Sequence, residues 1–71
     1  MPDMVLITKD KSYPFGEIFV DKEIMRKVEQ IVNKYGHVDY LYPPYGTTTP
    51  EGLKEIEKET GFPEIVGFFY E

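Results

Sequence analysis

Six apolar residues, Ile24, Met25, Val28, Ile31, Val32 and Tyr35, fall at relative positions 0, 1, 4, 7, 8 and 11. That is one face of an α-helix about four turns long, and a strand cannot present it. Asp21 stands where an N-cap oxygen is wanted, Gly36 where a left-handed closing residue is wanted, and Lys34 near the negative end of the dipole. The spacing predicts a helix over 21–35 with an apolar stripe on one side. The rest of the chain has to supply the surface that buries this stripe.

Three short runs supply strands. Met4 to Thr8 (MVLIT) is continuously apolar and β-branched, as in a buried strand. Phe15 to Val20 (FGEIFV) is a second strand, with Pro14 and Gly16 placing its start at an edge or a bulge. A polar turn separates the two, so a hairpin is the economical pairing. His37 to Tyr42 (HVDYLY) is a third, ended by Pro43 and Pro44, which cannot donate to a ladder. A second helix is predicted over 49–60. Thr49 caps it, Pro50 suits its first position, and Gly61 with Pro63 marks its end. Its stripe is thin, resting on Leu53 and Ile56, so it should dock on the surface. Ile65 to Tyr70 (IVGFFY) is a fourth strand, apolar on both faces and therefore central. The order ββαβαβ predicts a single α/β domain, or its α+β counterpart, over residues 1–71. The two long crossovers suit parallel connections, which gives a mixed four-stranded sheet with both helices on one face.

A chain of 71 residues is expected to bury only about 60% of its unfolded surface, so its stability needs support. With no cysteine and one histidine, disulfides, thiolate zinc sites and multi-histidine cages are not available. Five Phe and six Tyr remain as sources of burial, together with self-association. Two helices cover one sheet face, and no further element is left for the other. An open aromatic face follows, and large exposed apolar patches mark interaction sites. The residues assigned to it are Tyr40, Tyr42, Tyr45, Phe68 and Tyr70. Alternation alone leaves open which set of the last strand the helices cover.

The stretch YLYPPYGTTTPEG raises a second reading. Gly46, Thr47, Thr48 and Thr49 lead into a helix N-terminus, where free N–H groups attract phosphate or carboxylate. Against an anion site, the stretch holds no Lys or Arg, Glu51 sits in the first turn, and the glycine spacing fits no phosphate loop. A rigid loop entering a capped helix explains the same residues.

Catalytic material is scarce. His37 and Asp39 share a strand face and could act as base and orienter or as metal ligands, but two groups make a weak site. Ser12 is the single serine, and no nucleophile, base and oxyanion set can be assembled. Glu51, Glu55, Glu57 and Glu59 form a solvated helix face rather than a calcium loop.

The net charge is −5, with six positive and seven negative groups in residues 1–42 against two and six in 43–71. Such a chain repels phosphate backbones, so nucleic acid is not expected as a partner. No apolar run is long enough to span a bilayer, and the start MPDMVLITKD lacks the pattern of a signal peptide. A cytoplasmic location is the expectation. The Lys- and Glu-rich, amide-poor composition resembles that of heat-adapted proteins. The chain is expected to be a non-enzymatic protein without cofactor that associates with protein, including itself, through the aromatic face. The alternative is a small-molecule or anion binder using the loop Tyr42–Thr49.

Overall fold

The computed structural model describes residues 4–9, 16–39 and 45–71. Tyr40 and Tyr42, two of the residues assigned to the aromatic face, lie outside that set, as do Pro43 and Pro44. Strands β1 (Met4–Thr8) and β2 (Gly16–Val20) pair antiparallel, Leu6 opposite Ile18, as the hairpin reading expects. Helix α1 (Lys22–Tyr35) follows directly. The Asp21 side chain accepts a 3.0 Å hydrogen bond from the Ile24 N–H, and the Gly36 N–H closes the other end on the Val32 carbonyl. Val28, Ile31 and Val32 are buried, with Ile24, Met25 and Tyr35 packed beside them, so the stripe holds its predicted phase.

The connection after α1 departs from expectation. Strand β3 covers Val38–Asp39, and a further strand β4, Gly46–Thr47, pairs with it antiparallel. Helix α2 (Pro50–Thr60) then leads to β5 (Ile65–Tyr70). The sheet has five strands in the order β2-β1-β5-β4-β3, and every pair is antiparallel. This corrects the mixed four-stranded sheet. The cause is β4. It turns the chain back on β3, so the crossover through α2 returns β5 antiparallel to its neighbours. The fold is a small α+β domain, and β5 is interior as its two apolar faces require.

Gly46 makes β4 possible. A Cβ there would stand 2.6 Å from His37 Nε2 and 3.2 Å from Phe68 Cζ, so only glycine lets the strand lie against both rings. A register shift between Ile7 and Thr8 skips Val66 of β5. The Thr47 hydroxyl donates to the Val66 carbonyl at 2.9 Å and ties the irregular stretch to β4.

Both helices lie on one side of the sheet. Their core joins Met4, Leu6, Val20, Ile65 and Phe68 of the strands to Val28, Ile31, Val32 and Ile56 of the helices. The helices cross at Gly52. A Cβ there would meet Thr48 Cγ2 at 2.7 Å and Tyr35 Cβ at 3.1 Å. Glu55 of α2 accepts hydrogen bonds from the Tyr35 hydroxyl (3.0 Å) and from Lys34 Nζ (3.3 Å), closing the crossing with a polar clasp. The Glu55 carboxylate in turn holds the Lys34 ammonium above its ordinary pKa.

Candidate functional site

Two places could carry function, one on each side of the sheet. The first is the face turned from the helices. Paired residues of antiparallel strands share a face, so Phe19, Val5 and Phe69 form a row across β2, β1 and β5. Tyr45 continues it, its ring edge-on to Phe69 at 5.1 Å between centroids. Val38, opposite Thr47, lies beyond. The row carries three aromatic rings, of which Tyr45 alone is among the residues assigned to the open face, and its centre is not open. Val5 is fully buried and Ile7 nearly so, outside the helix-side core. The exposed apolar groups are at the margins: Phe19 at 64% on one edge, Tyr45 and Val38 on the other.

Phe68 and Tyr70 do not belong to this face. Phe68 is opposite Leu6, is buried, and packs into the core under the helices. Tyr70 points to the same side and reaches α1. The last strand therefore turns its Phe68 set inward and its Phe69 set outward. Sequence reasoning missed Phe19, and of the two sets it left open in the last strand it assigned the Phe68 set to the face that the Phe69 set occupies. Phe19 was legible: it alternates in step with Glu17, against buried Val20 and half-buried Ile18.

The threonine loop is spoken for internally. Thr48 is buried and donates to the Gly36 carbonyl at 2.7 Å. Thr47 donates to Val66, and Thr49 accepts from the Gly52 N–H as the N-cap of α2. Gly46 is a ladder residue. The hydroxyls of Thr47, Thr48 and Thr49 each have a partner within the chain, so the capped-loop explanation accounts for these residues and for Gly46.

The second place is a cleft of about 210 Å³ where α1 passes the end of β5. Val32 and Phe68, backed by buried Met4, form its apolar floor. Glu29, His37 and Tyr70 stand around it, with Asn33 beside them. The Tyr70 hydroxyl donates to Glu29 Oε2 at 2.5 Å. His37 lies edge-on to Phe68, and its Nδ1 is 3.6 Å from Asp39 Oδ1, within ion-pair range but longer than a hydrogen bond. His37 and Asp39 thus come together as their shared strand face requires. Among the described residues no group of three or more His, Asp or Glu side chains could hold a metal ion.

Burial, and then the hydrogen bond and charge of Glu29, push the Tyr70 phenol up from 10.0 to about 12. The folded chain therefore keeps this proton at a pH where the unfolded chain gives it up. The resulting stability is complete below about pH 10 and is lost as pH rises toward 12. Tyr70 is 46% exposed, so solvent screens the effect. A Tyr70→Phe chain is expected to lose less stability than the wild type across that alkaline window. Thermal midpoints of both chains against pH, with phenolate absorbance as a second readout, check this. Parallel curves would show that Tyr70 titrates as it does in the unfolded chain.

No protein-family model, curated protein or solved structure matches the chain.

Proposed function

We propose that this chain acts non-enzymatically, by protein association, and that its partner is a second copy joined along β2 and the adjoining aromatic face. One observation carries the reading: Phe19, a large apolar side chain, is 64% exposed on a strand at the end of the sheet order. An edge strand offers unpaired N–H and C=O groups to another strand. Its exposed aromatic offers apolar area next to them. A two-fold antiparallel pairing centred on Ile18 sets Glu17 of one copy opposite Phe19 of the other. Two carboxylates are thereby kept apart, and each ring covers the stem of a glutamate. A stable interface takes about 800 Å² from each partner, roughly a sixth of the 4985 Å² this chain exposes. The β2 edge and the exposed Phe19 ring supply a start on that area.

A protein partner also suits the net charge of −5, which disfavours phosphate backbones. Among the described residues no helix is long and apolar enough to cross a membrane.

Sedimentation equilibrium tests the proposal. The wild-type mass is expected to climb from 8.3 kDa toward twice that value as concentration rises. A Phe19→Lys chain should keep its helix signal and remain at the monomer mass. A wild type that is monomeric throughout, or a Phe19→Lys chain that associates equally well, would sink the reading.

A further inference from the structure

We infer that the cleft between α1 and the end of β5 is a binding site for a small organic ammonium ion carrying an aromatic or aliphatic body. Its floor is the outer surface of Val32 and Phe68, backed by buried Met4, and gives an apolar body a surface to cover. At about 210 Å³ the cleft has room for about seven waters at liquid volume, enough for one ring and a short tail. The polar groups around the floor decide the sign of the ligand's charge. Glu29 is a carboxylate, and among the described residues its side chain has one hydrogen-bond partner, the Tyr70 hydroxyl on Oε2. That bond fixes the carboxylate at the mouth and leaves Oε1 to accept from a ligand. None of the described residues lining the cleft is a lysine or an arginine. The site therefore presents acceptors and negative charge above an apolar floor, which is the complement of R–NH₃⁺ and not of a phosphate or carboxylate. A bare metal ion would leave the floor unused.

The pre-set carboxylate matters for affinity. A side chain already held by Tyr70 loses little freedom when the ligand arrives. The ammonium then gains a charge-assisted hydrogen bond, stronger than a neutral one. This site is independent of the association proposed above, because it lies on the helix side of the sheet.

The test uses the full chain and 2-phenylethylammonium chloride, with phenylacetate and ammonium chloride as controls. Nuclear magnetic resonance follows the Val32 methyl and Phe68 ring signals during titration. The amine is expected to shift them with a dissociation constant of about 1 mM, the range open to so small a ligand. Phenylacetate has the same ring with the opposite charge, and ammonium has the charge without the ring, so neither should saturate. Glu29→Gln, at a helix surface position where folding should survive, is expected to weaken the amine about tenfold. Tyr70→Phe keeps the carboxylate but frees it, and should weaken binding about threefold. Equal binding of phenylacetate, undiminished binding by Glu29→Gln, or no shift of Val32 and Phe68 with the amine would each overturn the inference.

Discussion

A Val28→Asp chain is expected to be unfolded at room temperature, with its far-ultraviolet helix signal lost. Val28 has no exposed surface and stands in the middle of the α1 stripe, against the strand residues of the helix-side core. Two costs combine. The valine's burial, about 1.5–3 kcal/mol, is forfeited. The new carboxylate then has to be stripped of water with no cation among the core residues, which costs several kcal/mol more even after relaxation. A domain of 71 residues holds about 4–10 kcal/mol in total. The sum of the two costs is of the same size as that total. Val28→Ala separates charge from volume. It removes two methyl groups, should cost about 2–3 kcal/mol, and should leave a folded chain with a lower midpoint. Circular dichroism melts of both variants decide the matter. A Val28→Asp chain with the wild-type signal and midpoint would mean that position 28 reaches water.

A Gly52→Val chain is expected to lose about 3 kcal/mol, which runs against simple helix propensity. Replacing a glycine inside an exposed helix normally stabilises it, by up to about 1 kcal/mol. At Gly52 even the Cβ is too large, since it would stand 2.7 Å from Thr48 Cγ2 and 3.1 Å from Tyr35 Cβ. Neither neighbour can retreat easily. Thr48 is buried and donates to Gly36, and a Cβ moves only with its backbone. Overpacking of this kind costs about 1–3 kcal/mol, and valine brings two further methyl groups into the crossing. Relief requires α2 to lift off α1, which also breaks the Tyr35 and Lys34 contacts to Glu55. Urea unfolding gives the number. A Gly52→Val midpoint at or above wild type would show that the helices are farther apart than the Gly52 contacts imply.

The helices were legible because each carries its own punctuation. Asp21 and Gly36 bracket α1, Thr49 and Gly61 bracket α2, and the apolar spacing sets the buried side. The sheet was less legible, for local reasons. Gly46 and Thr47 have no alternation, and glycine is a poor strand former, so nothing announces β4. Their pairing depends on how closely Phe68 and His37 can approach, which is a tertiary fact. Missing β4 reverses the inferred direction of β5, and the antiparallel sheet becomes a mixed one. Phe68 and Phe69 posed a choice that a strand apolar on both faces cannot resolve by itself. The register against β1 resolves it, through Leu6. The cleft was out of reach in the same way. Glu29 lies in α1, His37 between α1 and β3, and Tyr70 at the end of β5, so no single sequence pattern groups them. A faint sign existed, since Glu29 and Asn33 border the α1 stripe one turn apart and Val32 lies between them in the helix surface.

The pairing of β1 with β5 also governs when the chain can fold. Leu6 finds its neighbour in Phe68, so almost the whole polypeptide separates the two central strands. During synthesis the first hairpin and α1 emerge early, but their apolar surfaces have no lasting cover until Phe68 has left the ribosome. Such distant contacts raise contact order and slow folding for a domain of this size. The nascent β1, apolar on both sides, must wait with its edge unpaired, a state prone to aggregation. The sheet is complete only once β5 lies between β1 and β4, and a chain stopped short of β5 is expected to lack the core that Ile65 and Phe68 close.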